Sequence, residues 1–150
     1  IEIGHVRYRD EGPEAFGKAG CFEAFCAGNA LPGLARWLVP ERWRAESTVT
    51  GPELTQLAAT GDSDARRVLE MNADAVGDAC ALLGDLLGPE VILLGSLARY
   101  LGDWWVGRVR ERFNVQVLSS VSERCSILPA GLGDRLGDCS ALAVAIGVTS

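Results

Sequence analysis

Val91-Ile92-Leu93-Leu94-Gly95-Ser96 is the stretch on which the fold turns. Four apolar residues in an unbroken run, closed by a glycine, read as a strand buried on both faces in a parallel sheet. Gly88-Pro89 stops whatever precedes the run. After it, apolar residues return at helical spacing through Trp104, Trp105, Val109 and Phe113. Val115 to Val121 is then predicted as a further strand. A strand, a helix and a strand in that order imply an α/β architecture with helices packed on a sheet.

Working upstream, Asp62 or Ser63 is placed to cap the longest helix, which runs to about Leu87. Its stripe of Ala65, Val68, Leu69, Val76, Ala79, Cys80, Leu83 and Leu87 has the period of one buried face. Gly51-Pro52 opens a shorter helix, with Pro in the first turn where its missing N–H is harmless, ending near Gly61. Pro40 to Thr50 reads as a loop. Phe22, Phe25 and Cys26 mark a helix from Cys21 to Gly28, and Asn29 is expected to cap another reaching about Leu38. Downstream, a loop holds Gly131, Gly133 and Gly137, and Asp138 is expected to cap a closing helix from Cys139 to about Val148.

The 150 residues, 48% hydrophobic, are enough for one domain with its own core. A net charge of -6 and a single lysine, Lys18, argue against a dominant nucleic-acid surface. No apolar run has transmembrane length and no signal peptide is evident. The cysteines at 21, 26, 80, 125 and 139 form no disulfide framework and fit a reducing cytoplasm. The chain opens at Ile1 without an initiator methionine, so it is read as a piece of a longer polypeptide.

The chemistry is concentrated at the start, in Glu2-Ile3-Gly4-His5 and in Gly17-Lys18-Ala19-Gly20-Cys21-Phe22-Glu23-Ala24. Between them His5 to Arg9 alternates polar and apolar, which favours a short strand, and Asp10-Glu11-Gly12-Pro13 makes a turn. Two carboxylates and the chain's one histidine gather around glycines beside an apolar helix. Carboxylates accept and imidazole donates or accepts, so the set can read several hydroxyls of a polyol.

These two pieces, in this order, resemble the ROK family of repressors and sugar kinases. Its sugar-side signature is Glu-x-Gly-His followed by a loop ending Gly-Cys-x-Glu-Ala. Glu2, Gly4 and His5 match the first part; Gly17, Gly20, Cys21, Glu23 and Ala24 match the second. Later, Pro89 to Gly95 is similar to the family strand that ends in a glycine pair. Gly131-Leu132-Gly133-Asp134, with Gly137 and Ala141, is similar to its late loop and last helix. The resemblance implies an actin-like, ribonuclease-H-like ATPase fold. Residues 1–150 would form one C-terminal domain carrying a sugar site and part of a nucleotide cleft, with an incomplete sheet whose open edge needs covering.

By the same resemblance Glu2, His5 and Glu23 are hydrogen-bond partners of a hexose, and Gly95 and Ser96 contact the nucleotide. A strand ending in glycine before a helix N-terminus suits a phosphate or nucleoside. The family's zinc form carries Cys-x-Cys-Gly-x-x-Gly-Cys, three thiolates that share the metal with the histidine. Here the aligned residues are Glu14, Phe16 and Cys21, which leaves His5 and Cys21 as metal donors. A structural zinc is therefore not expected; Phe16 is expected to fill the vacated volume, with Cys21 a small buried thiol.

Trp104-Trp105 is read as one core tryptophan and one nearer the surface, where it would permit the homodimer common in the family. Arg108, Arg110 and Arg112 are read as the solvated side of their helix. The lone histidine belongs to the opening motif, so no Ser-His-Asp set is available.

The resemblance thus implies the C-terminal part of a cytoplasmic, glucokinase-like kinase that transfers phosphate from ATP, with magnesium, to a hexose. The family's phosphate loop and catalytic aspartate precede Glu-x-Gly-His, so no catalytic base is assigned within the chain. The alternatives are the sugar-sensing domain of a ROK repressor, with nucleic acid as a partner only through an upstream helix-turn-helix, or a non-catalytic member. No membrane partner is expected.

Overall fold

The structure, a computed structural model, describes residues 2–43, 49–131 and 135–147. A turn of 3-10 helix at Ile3–His5 leads into a hairpin, β1 (Glu14–Ala15) and β2 (Lys18–Ala19). Then come α1 (Phe22–Cys26), α2 (Leu31–Leu38), α3 (Gly51–Ala59), α4 (Ser63–Leu87), β3 (Val91–Leu94), α5 (Ser96–Gln116), α6 (Ser119–Ser122), β4 (Ser126–Pro129) and α7 (Leu136–Gly147).

The centre of the fold is α4 against α5. Asp62 caps α4 through a carboxylate that accepts from the Ala65 N–H at 2.9 Å, and Gly88 closes it with φ 58°. Val68, Leu69 and Ala73 on α4 meet Trp105, Val109 and Phe113 on α5, all at most 1% exposed. Each of the large ones contributes about 1.5–3 kcal/mol by leaving water. The helices approach closely at Gly77, where a Cβ would stand 2.6 Å from Arg112 Cβ and 2.9 Å from the Val109 carbonyl. Asn72 is fully buried yet satisfied: its Oδ1 accepts from the Trp105 indole at 3.0 Å. Its amide donates to the carbonyls of Phe25 and Cys26 at 2.8 and 3.1 Å.

Arg108, Arg110 and Arg112 of α5 are partly exposed but are tied to neighbouring elements, not free on a solvated face. Arg108 makes a bidentate pair with Asp74, at 2.8 and 2.9 Å. Arg112 does the same with Asp78, at 2.6 and 2.9 Å. Arg110 donates to the Ile127 carbonyl at 2.8 Å. Their partners lie on the neighbouring helix and strand, which a single helix's pattern does not reveal. Trp105 is the core tryptophan, as expected; Trp104 is partly buried, with the Arg66 guanidinium 3.9 Å from its ring centre.

β3 and β4 pair in parallel, Val91 opposite Ser126 and Leu94 opposite Pro129, with α5 as the crossover. The strand expected at Val115 to Val121 is not one. α5, kinked at Gly102, continues to Gln116, and Val117, just past its end, closes over Gly84 of α4 together with Val121 of α6. Packing against α4 overrides the β preference of the valines. β3 is also not buried on both faces: Leu94 is 7% exposed, but Val91 and Leu93 on the opposite face are 47% and 65% exposed. Only one side of this two-stranded sheet carries described helices of the core.

Three smaller expectations shift. Of the strand expected from His5 to Arg9, His5 belongs to the 3-10 turn and Arg7 makes an isolated bridge opposite Cys21. Asn29 sits inside a 3-10 turn, Gly28–Ala30, and α2 begins without a side-chain cap. Asp138 lies in the first turn of α7 and not before it. Leu132, Gly133, Asp134 and Val148 lie outside the described residues.

Candidate functional site

The opening turn is organised by its own acid. Glu2 stands at the N-cap of the 3-10 turn, and its carboxylate accepts from the Gly4 N–H at 3.2 Å. Gly4 is buried between two carboxylates: a Cβ there would lie 3.0 Å from Glu23 Oε2 and 3.1 Å from Glu2 Oε1. Residues 21 positions apart thus bring their acidic groups to one point, with His5 next in the chain. Glu23 is in the first turn of α1, where a negative charge complements the helix dipole.

Backbone bonds hold the turn to the helix. The Phe22 N–H donates to the Val6 carbonyl at 3.0 Å. The Gly20 carbonyl accepts from both Tyr8 and Arg9, at 2.8 and 3.0 Å, while its own N–H reaches Pro13. Gly20 has φ 72°, and a side chain there would strike the Arg9 carbonyl. Tyr8 stacks on Phe22 with centroids 4.7 Å apart and donates its hydroxyl to Asp78 at 2.7 Å. Burial, countered by Arg9 but reinforced by Asp78, raises the Tyr8 pKa. The Asn72 amide, by holding the Phe25 and Cys26 carbonyls, locks the other end of α1 into the core. Glu23 is thereby positioned from both sides.

His5 and Cys21, the two remaining zinc donors, each meet other groups of the hairpin. Cys21 is fully buried as expected, but its thiol donates to the Lys18 carbonyl at 3.3 Å. Phe16 does not fill a vacated interior volume; it is 77% exposed at the hairpin tip, because the hairpin turns its side chain outward. Among the described residues no group of three or more His, Cys, Asp or Glu is placed to hold a metal ion. One histidine and one thiol do not fit a closed four-donor zinc site. Burial pushes the Cys80 thiol up to about 12 and raises Cys26 and Cys125 as well, which disfavours their thiolates.

Gly95 and Ser96 lie elsewhere, at the N-terminus of α5, where Ser96 is on the wall of a largely apolar cleft of about 470 Å³ and Gly95 is the residue before it. Gly28, Pro52, Thr55, Leu97 and Tyr100 line it too. A Cβ on Gly95 would meet nothing within 4 Å, so the backbone there is open to an approaching group. Leu97 packs over Gly28, its Cδ2 3.2 Å from where a Cβ would be. The opposite wall is α3, the helix expected from Gly51-Pro52, whose capping box between Thr50 and Glu53 is legible in the chain although its place across from Ser96 is not. α1 connects the two places: Glu23 is near its start and Gly28 just past its end. No helix among the described residues is long and apolar enough to cross a membrane.

The chain is 27% identical to the glucokinase of Halalkalibacterium halodurans over 146 residues, 91% of this chain and 44% of that protein. It is 24% identical to the xylose repressor of Caldicellulosiruptor bescii over 143 residues, 89% of this chain and 36% of that one. The solved ROK hexokinase of Thermus thermophilus matches with a TM-score of 0.72 and 27% identity, covering 89% of this chain and 43% of that one. The chain spans less than half the length of each of these relatives. The architecture is accordingly α/β, of the actin-like ATPase kind. The sequence pattern of the ROK family matches residues 1–147. With the opening motif, the strand–helix core and almost the whole length in agreement, the chain belongs to the ROK family.

Proposed function

We propose that this chain is the C-terminal, sugar-binding domain of a hexose kinase that uses ATP. The observation that carries the reading is the convergence of the Glu2 and Glu23 carboxylates beside Gly4, next to His5. In this reading the carboxylates accept hydrogen bonds from adjacent ring hydroxyls, and His5 fixes a third. Holding the sugar in one orientation is itself catalytic, since it removes the entropy of bringing a hydroxyl to its target.

The apolar cleft suits a nucleoside, with the base against Pro52, Leu97 and Tyr100. The open backbone at Gly95 and the Ser96 hydroxyl, at a helix N-terminus, suit a phosphate in this reading. ATP with magnesium, when bound, supplies the phosphoryl group and its charge neutralisation. Glu2 and Glu23 act as acceptors, not as the base that takes the hydroxyl proton. That base is expected from the part of the family pattern that precedes Glu-x-Gly-His.

The test uses the complete polypeptide: glucose-dependent ADP release from MgATP, alongside glucose binding by calorimetry. Turnover supports the kinase reading. If Glu23→Ala leaves the apparent glucose affinity unchanged, the assignment of that residue fails.

One observation favours a second reading. Ser96 follows Gly95 where the kinases of the family have a second glycine, and Leu97 beside it packs over Gly28. A sugar-sensing repressor tolerates a narrowed nucleotide cleft, and one relative is a xylose repressor. Sugar binding without ADP release would favour that reading.

A further inference from the structure

Where the family's zinc pattern would gather thiolates, this chain builds a hairpin. β1 pairs with β2 in antiparallel register, Ala15 opposite Lys18, so Phe16 and Gly17 form a two-residue loop. Both have positive φ, 51° and 73°, the mirror-image turn that Asn-Gly favours. Among the described residues Phe16 is the only non-glycine with positive φ. A bulky side chain is disfavoured in that conformation. Phe16 is also 77% exposed, so burial gives its ring little.

Two unfavourable choices at one residue direct attention to what the ring touches. It meets His5: the ring centroids are 5.3 Å apart with an interplanar angle of 64°, an edge-to-face pair. Lys18, just past the loop, donates its ammonium to the His5 carbonyl. Arg7 fastens the base of the hairpin through the Ala19 carbonyl at 3.2 Å. The hairpin therefore grips His5 by ring and by backbone.

We infer that Phe16 is a positioning residue for His5, its ring edge setting the imidazole orientation in place of a shared metal. The inference rests on the reading of Glu2, His5 and Glu23 as hexose ligands. It makes the site independent of zinc and assigns the cost of the left-handed turn to a contact that Asn, the residue best suited to the turn, would not make.

The experiment uses the complete polypeptide labelled with 15N-histidine, the His5 signal being identified by its loss in His5→Asn. Phe16→Asn keeps the turn and removes the ring; Phe16→Trp keeps an aromatic edge. Phe16→Asn is expected to fold with a Tm no lower than the parent and to shift the His5 imidazole resonance. It is also expected to weaken glucose binding about 3- to 10-fold, the range an aromatic pair supports. Phe16→Trp should recover both, and one equivalent of zinc chloride followed by chelator should change neither. An unmoved His5 resonance in Phe16→Asn, or stoichiometric zinc binding that shifts it, overturns the inference. A shifted resonance in a protein that binds no hexose upholds the seating of His5 and rejects the sugar reading instead.

Discussion

Asn72 Oδ1 accepts the Trp105 indole N–H at 3.0 Å in a place from which water is fully excluded, while the same side chain's amide holds two carbonyls at the end of α1. One residue thus ties three helices together with no polar atom left over. Replacing it by Leu would strand the indole donor and both carbonyls. Each buried, unpaired group costs about 1–3 kcal/mol, so a loss of at least 2–4 kcal/mol is expected. Urea unfolding of Asn72→Leu, followed by tryptophan fluorescence, measures it.

Gly77→Ala sets two effects against each other. An alanine improves helix propensity by roughly 1 kcal/mol. Its Cβ would stand 2.6 Å from Arg112 Cβ and 2.9 Å from a backbone oxygen, neither the free end of a flexible chain. Overpacking of that kind costs about 1–3 kcal/mol, and spreading the helices also weakens the Arg112–Asp78 pair. Net destabilisation is expected, visible as a lower Tm. A higher Tm would mean that α4 and α5 slide apart without penalty.

Gly4→Ala should behave differently. The new methyl would meet carboxylate oxygens at 3.0 and 3.1 Å, and those side chains can swing aside. The expected stability change is under about 1 kcal/mol, below the usual overpacking range. The carboxylates, however, are displaced from their common point, and loss of one charged hydrogen bond corresponds to roughly tenfold or more in affinity. Glucose calorimetry beside a thermal melt separates the two effects.

Acid sensitivity has a named contributor. Arg42 donates to Asp62 at 2.6 and 2.8 Å, and with the Ala65 N–H it lowers the Asp62 pKa below its ordinary 3.8. A carboxylate depressed on folding adds stability above its unfolded pKa and loses it as pH falls through the folded one. Asp62→Asn retains a capping side chain but not the charge. The variant should therefore show a shallower fall in Tm below about pH 4 than the parent, and curves that stay parallel would remove Asp62 from the account.

The legible parts of the chain were those whose pattern repeats within one element. α4 could be read because Val68, Leu69 and Cys80 follow one face, and β3 because four apolar residues end at Gly95. β4 escaped notice since Ser126 and Pro129 are poor strand formers, while Val115, Val117 and Val121 offered a better-looking decoy. The hairpin was hidden for a similar reason: each strand has two residues, and Phe-Gly is not the usual dipeptide for its loop. Glu2, Gly4, His5 and Glu23 were legible as a motif, but that the carboxylates meet at Gly4 is a tertiary fact. The pairs Arg108–Asp74 and Arg112–Asp78 depend on the register of two helices 34 residues apart in the chain, which no single-helix periodicity encodes.

The latch from Asn72 to the end of α1 has a genetic consequence. A random-mutagenesis screen for variants that fold but no longer retain hexose would be expected to return hits in two distant clusters. One comprises the opening turn and Glu23. The other falls at Asn72 and Trp105, in the middle of helices α4 and α5, where a mapper working from sequence alone would suspect a second ligand. Complementation would expose the difference, because mild temperature reduction should restore the second class and leave the first defective.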